Sequence, residues 1–295
     1  MTEAILAPPR TFFGEPRALA YLSFTEAWER FSYYGMTAIL VLYMSQALLT
    51  PGHIEHIAGF TALRAGLESA FGPMTTLALA SQIMGLYTGF VYFTPVLGGW
   101  IADRFTGRRR AVMAGAVMMS AGHLAMAFDA SFLLALTLLI VGCGLLKGNI
   151  STQVGELYDV SDGAGRTRAF SIFSMGINIG AVAGPLLCGL LAQLYGWHAG
   201  FALAGVLMLA GLATYISGFR HLPEDRPRAR PQSAKPKMDS GQIRIVLALA
   251  VTAALTIFQT IAYTQNTNLG LVWINQSVDL DFLGFHVPVD RKSVV

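Results

Sequence analysis

Charged side chains are missing from long stretches of this chain, and that limits its possible folds more than any other feature. No Asp, Glu, Lys or Arg occurs in 31–54, 69–102, 111–128, 130–146, 169–219 or 245–278. A helix crossing the ~30 Å hydrocarbon layer needs ~20 mostly apolar residues at ~1.5 Å of rise each. The stretch 169–219 is long enough for two such helices, with Tyr195-Gly196-Trp197 supplying a turn and an interfacial aromatic between them. Seven spans are expected, at about 18–48, 75–101, 111–129, 131–153, 169–193, 199–219 and 245–273. The fold class is therefore an all-α integral membrane bundle.

Composition agrees. Charged residues make up 13% of the chain, about half the ~25% of soluble domains, and the mean hydropathy is +0.54. A disordered chain, a disulfide scaffold and a nucleic-acid binder are excluded on this basis. The two cysteines, Cys143 and Cys188, lie inside spans without metal spacing and read as small packing residues. The segment up to Arg17 lacks the apolar stretch and cleavage site of a signal peptide, so the first span is expected to be retained.

Loop charge sets the expected orientation. Alternate connections put fifteen of the 20 Lys and Arg on one side: Arg10, Arg17, Arg104, Arg108, Arg109, Arg110, Arg166, Arg168 and seven more between Arg220 and Arg244. Arg64, Arg291 and Lys292 fall on the other. The Lys/Arg excess marks the cytoplasmic face, which places the N-terminus in the cytoplasm of a multi-pass protein of the cytoplasmic membrane. The chain divides into a six-helix bundle (1–219), a Pro-, Arg- and Lys-rich cytoplasmic linker (220–244), and a seventh helix with a tail (245–295). Gly-xxx-Gly steps at Gly85/Gly89, Gly144/Gly148 and Gly180/Gly184 predict close helix contacts.

Within the first span, Glu26, Glu29, Arg30, Tyr33 and Tyr34 share an arc of ~140° on a helix. Glu26 precedes Arg30 by four residues, the favourable order for an ion pair along a helix. Ionisable groups at membrane depth cost several kcal/mol and face a bundle interior or a wet cavity, so this face reads as functional. Lys147 closes another apolar run between Gly144 and Gly148. His123 reads as a hydrogen-bonded packing residue, and His53, Glu55 and His56 as a solvated loop.

The run Glu26-x-x-Glu29-Arg30-Phe31-x-Tyr33-Tyr34-Gly35 resembles the first-helix signature of proton-dependent oligopeptide transporters, a branch of the major facilitator superfamily. Phe170-x-x-Phe173-x-x-x-Ile177-Asn178-Ile179-Gly180 resembles that family's fifth-helix signature, and Lys147 its fourth-helix lysine. The segment Gly98-Gly99-Trp100-Ile101-Ala102-Asp103-Arg104-x-x-Gly107-Arg108-Arg109-Arg110 is similar to a loop shared across the superfamily.

The resemblance implies a major-facilitator-type fold, here one six-helix half plus one helix of the second, and symport of protons with di- and tripeptides by alternating access. It implies proton coupling by Glu26, Glu29, Arg30 and Lys147. Arg30, Tyr33, Tyr34, Tyr92, Lys147 and Asn178 would meet the peptide, and Gly99, Asp103, Arg104, Gly107, Arg108 and Arg109 would brace a gate. Protons are the coupling ion, with no other cofactor and no metal. The implied partners are a small peptide and the lipid bilayer. A zwitterionic peptide needs a cation for its carboxylate, which Arg30 supplies bidentately, and amide partners, which Asn178 supplies.

Transport of this kind uses two bundles of ~6 helices rocking about a shared site. Five spans would be missing here, so a truncated copy is expected, inactive unless a separate C-terminal half complements it. A drug or sugar carrier of the same superfamily would share the arginine loop but does not need the Glu26/Glu29/Arg30/Tyr33 face. A seven-helix receptor is the other alternative, though a retinal protein wants a lysine that 245–273 lacks. An enzyme is not expected, since no nucleophile–base pair or metal cluster is visible.

Overall fold

The computed structural model describes residues 10–225, 239–265, 269–278, 281–282 and 285–286. The expected linker residues 226–238, the polar run Asn266-Thr267-Asn268 and the segment 287–295 lie outside the described residues. Helices dominate: α1 (Arg17–Tyr43), α2 (Phe60–Phe71), α3 (Thr76–Ile101), α4 (Arg108–Ala125), α5 (Phe132–Glu156), α6 (Gly163–Tyr195), α7 (Trp197–Gly218), α8 (Ser240–Gln265) and α9 (Leu271–Ser277). Strands β1 (Arg10–Phe12) and β2 (Glu15–Pro16) form a hairpin ahead of α1, and β3 (Asp281–Phe282) pairs with β4 (Phe285–His286).

Local chemistry sets several of the helix ends. The Thr75 hydroxyl accepts the Ala78 N–H at 3.2 Å and starts α3, while the Asp162 carboxylate accepts the Gly165 N–H at 2.8 Å and starts α6. Gly196, at φ 89°, ends α6 and caps α7, so the long charge-free stretch reverses direction at the expected turn. Among the described residues, five segments are long and apolar enough to cross a membrane: Thr76–Thr106, Asp129–Glu156, Gly163–Tyr195, Trp197–His221 and Ser240–Tyr263. Helices α1 and α4 fall outside that set, α1 carrying Glu26, Glu29 and Arg30 and α4 opening on Arg108, Arg109 and Arg110. Both nonetheless pack lengthwise inside the bundle. The short helix α2, which buries Phe60 and Leu67, stands where the sequence predicts only a loop.

Helix α1 lies against α6 and α7, α4 against α5 and α7, and α3 against α5. The α1–α6 contact is a seam of small residues. Gly176, Gly180, Gly184 and Cys188, four apart on α6, meet Ser23, Ala27, Phe31 and Gly35, four apart on α1. Backbones approach so closely there that a Cβ on Gly184 would fall 2.9 Å from the Gly35 nitrogen. Gly144 of α5 similarly abuts Gly98 and Thr94 of α3. The Gly85/Gly89 step departs from expectation: both residues face open space and line a groove toward α8. Gly99 is likewise open, and its neighbour Gly98 makes the contact.

Polar clusters mark the two ends of the bundle. At one, Arg168 and Tyr158 bond Glu15, Arg108 bridges Asp103 and Glu156, and Arg109 meets Leu222 and Asp225. At the other, Tyr43 donates to Asp129 at 2.7 Å and His53 lies 3.0 Å from the same carboxylate. Successive long helices therefore run antiparallel, and the basic loops gather at one end.

Candidate functional site

Glu26, Glu29 and Arg30 are all buried, with no more than 3% of their surfaces exposed. The Arg30 guanidinium pairs with Glu26 Oε1 at 3.1 Å and more tightly with Glu29 Oε2. This is the ion pair that the i, i+4 spacing predicts, with a second acid added. Glu26 Oε2, Glu29 Oε1 and Arg30 Nη2 are buried without a protein hydrogen-bond partner among the described residues. Buried polar atoms of this kind are costly, and three on one ion cluster mark a place where a proton or a polar ligand atom can be taken up.

Aromatic residues connect this cluster to the outside. The Tyr33 ring lies 5.3 Å from the guanidinium, packs edge-on against Tyr34 and stacks on Tyr87. Lys147 of α5 sits with its Nζ 4.4 Å above the ring of Tyr92 and within electrostatic range of Glu26, Glu29 and Arg30. Tyr92 is half-exposed and forms part of the wall of the α3–α8 groove. That groove has a volume of about 1290 Å³ and is lined by Met84, Gly85, Thr88, Gly89 and Phe93 from α3 and by Thr252, Thr256, Gln259, Thr260, Tyr263 and Gln265 from α8. Tyr92 is thus the residue that Lys147 and the groove share.

Asn178 is not brought into that cluster. It is exposed on α6, about two residues' rotation from the Gly176/Gly180 seam and so on the helix face turned away from α1. Of the residues expected at a gate, several assemble, while Gly99 stays open. Arg108 joins Asp103 at 2.8 Å and also Glu156, so one guanidinium ties the α3–α4 turn to the end of α5. Gly107, at φ 77°, turns the chain where a Cβ would strike the Asp225 carboxylate. Asp225 in turn accepts the Arg109 N–H at 3.0 Å, capping α4 from a distant segment. Arg104 lies 6.0 Å from the Phe105 ring and lines a cavity of about 630 Å³ beside these groups.

Sequence reasoning did not identify Glu15, Glu156, Asp225 or Tyr87. Loop carboxylates carry no periodic signal, and a tyrosine in an apolar span reads as packing. His123 does pack as expected. Ser32 donates to the Ala204 carbonyl at 2.9 Å, so His123 Nε2, 2.6 Å from the same hydroxyl, must be the donor to it.

Fold and buried charge together define a bundle of membrane-length apolar helices around a buried ion cluster. Residues 109–236 match the family described as PTR2: POT family. The chain is 38% identical over 286 residues to the di-/tripeptide transporter of Lactococcus lactis subsp. cremoris, covering 95% of this chain and 52% of that one. It is also 38% identical over 288 residues to an uncharacterized transporter of Bacillus subtilis (strain 168), with 96% and 52% covered. Among solved structures it is similar to the peptide transporter POT in complex with sulfate, with a TM-score of 0.72 and 27% identity over 98% of this chain and 67% of that one. By sequence and fold the chain is similar to transporters of the POT family, and it spans about half the length of the curated relatives it matches.

Proposed function

We propose that this chain forms the N-terminal half of a proton-coupled symporter of di- and tripeptides, with its N-terminus on the cytoplasmic side of the cytoplasmic membrane. The observation that carries the reading is the buried Glu26–Arg30–Glu29 cluster, with Lys147 in electrostatic range of it and packed over Tyr92, a wall residue of a largely apolar groove that carries several hydroxyls and amides. With both acids ionised, Glu26, Glu29, Arg30 and Lys147 sum to zero charge. Protonating one acid leaves a net positive site that accepts a peptide carboxylate. The proton and the nutrient are then bound together, and influx of that charge contributes ~2.3 kcal/mol per 100 mV of membrane potential. The groove supplies hydroxyls and amides for the peptide backbone. A second bundle, in the same or another polypeptide, completes the alternating-access cycle.

The test is binding of labelled dialanine to the purified chain in lipid nanodiscs at pH 5.5 and pH 7.5. Saturable binding that is stronger at the lower pH, and is weakened about tenfold or more by Arg30→Gln or Lys147→Gln, is expected. Absence of saturable peptide binding at either pH would overturn the proposal. Proteoliposomes containing the chain together with the C-terminal bundle of a relative then test proton-driven uptake.

A further inference from the structure

A two-residue turn, Phe13-Gly14, closes the β1–β2 hairpin ahead of α1, where Phe12 pairs with Glu15. Both turn residues have positive φ, 50° at Phe13 and 79° at Gly14. Such a turn suits Asn-Gly, and a side chain as large as phenylalanine is strained in its first position. Phe13 is the only residue other than glycine with positive φ among the described residues. It is also 75% exposed, so the strain does not serve to bury the ring within the bundle. An asparagine would make the same turn with less strain and no exposed ring.

The ring is not isolated. Phe12 meets Phe13 edge-on at 4.8 Å and lies 6.1 Å from Phe24, which is half-exposed on α1. Phe24 stands nine residues before Tyr33, which places it half a turn around the helix, on the side of α1 away from the ion cluster. A second bundle that completes a site at the cluster therefore approaches from the other side.

The hairpin is held in place from behind. Glu15 is buried, accepts the Tyr158 hydroxyl at 2.8 Å and the Arg168 Nε–H at 2.9 Å, and so ties the hairpin to the turn between α5 and α6. Arg17 is exposed one turn before Tyr21, and Tyr21 stacks on His221, which brings the exposed Arg220 to the same end of α1. The acids of the α5–α6 turn are engaged locally, Asp159 by Ser161 and Asp162 by the Gly165 N–H. Aromatic rings beside arginines suit a phospholipid headgroup layer, where the rings meet the acyl boundary and the guanidinium groups meet phosphates.

We propose that the β1–β2 hairpin is an interfacial anchor: Phe13, backed by Phe12 and Phe24, inserts into the phospholipid headgroup layer at the basic end of the bundle, and Glu15 passes that hold to the α5–α6 turn. The inference uses the bundle's place in a bilayer and none of the transport chemistry.

The experiment uses the full chain in phospholipid nanodiscs with an environment-sensitive dye on Phe13→Cys. Cys143 and Cys188 are 1% and 0% exposed, so labelling falls on position 13. Two nitroxide lipids, one labelled at the headgroup end of its acyl chain and one at the chain terminus, report depth, and iodide reports water. The headgroup-end nitroxide is expected to quench about twofold or more strongly than the terminal one, and iodide about threefold or more weakly than it quenches the free dye. Quenching by iodide as in the free dye, with none from either lipid, would overturn the proposal. Because the dye replaces the ring, hydrogen exchange of the unlabelled chain in nanodiscs is the second test. Phe13→Asn keeps the turn and relieves its strain but removes the ring. Exchange of the hairpin amides is expected to quicken about threefold or more, the lost burial outweighing the relieved strain. Unchanged or slower exchange would show that the ring has no lipid partner and would overturn the proposal.

Discussion

Gly180 of α6 rests directly on Arg30 of α1: a Cβ at Gly180 would lie 3.0 Å from the Arg30 Cβ and 2.8 Å from the Phe31 nitrogen. The residue that lets the two helices touch is therefore also the one that fixes the position of the buried cation.

Gly180→Ala forces α6 away from α1. Overpacking of this kind costs ~1–3 kcal/mol, and the same shift moves the guanidinium relative to Glu26 and Glu29. Unfolding of the chain in mixed micelles is expected to show the loss of stability, and peptide binding is expected to weaken with it. Gly85→Ala, at an open position of α3, is expected to leave stability unchanged within ~0.5 kcal/mol.

Removing Arg30 is expected to be worse than removing its whole cluster. Arg30→Met leaves Glu26 and Glu29 buried together without a counter-charge, a loss of ~3–5 kcal/mol for breaking a buried pair. Combining Arg30→Met with Glu26→Gln and Glu29→Gln is expected to recover most of that stability while abolishing peptide binding. The measurement is thermal unfolding of the three proteins, wild type included, set beside their dialanine affinities.

Much of this arrangement is legible in the sequence, for identifiable reasons. Charge-free windows locate α3, α5, α6, α7 and α8 because the membrane excludes charge without regard to neighbours. The Glu26/Glu29/Arg30/Tyr33 face shows because charges inside an apolar span are conspicuous. Which helix covers a given face is not encoded in periodicity. That is why Gly85/Gly89 reads like Gly180/Gly184 although the first pair borders the groove and the second meets α1. Asn178 shares a signature with Gly180 yet sits on the opposite side of the same helix, and Glu15 looks like one more loop acid although Arg168 and Tyr158 enclose it.

Ser32 and His123 join α1 to α4, and Ser32 carries the chain of bonds on to α7. Ser32→Ala strands the buried imidazole N–H and the Ala204 carbonyl, an expected cost of ~1–3 kcal/mol. Chemical unfolding measures it. The pH dependence of peptide binding is expected to keep its wild-type shape, because His123 packs and does not carry the coupled proton.

Asp225 caps α4 across a long sequence separation. Asp225→Ala is expected to cost ~0.5–2 kcal/mol, the usual range for a lost helix cap, and to raise hydrogen exchange in the first turn of α4, the Arg109 amide above all. Asp225→Asn, which keeps an accepting oxygen, is expected to retain most of that protection.

The most direct measurement is the number of protons taken up when dialanine binds. Calorimetric titration of the chain in nanodiscs, in buffers of different ionisation enthalpy near pH 6.5, reports that number. If one of Glu26 and Glu29 must be protonated before Arg30 and Lys147 accept the carboxylate, binding draws in close to one proton per peptide, and Glu26→Gln or Glu29→Gln removes that uptake while some affinity survives. Peptide binding without proton uptake, or uptake undiminished in both variants, would contradict it.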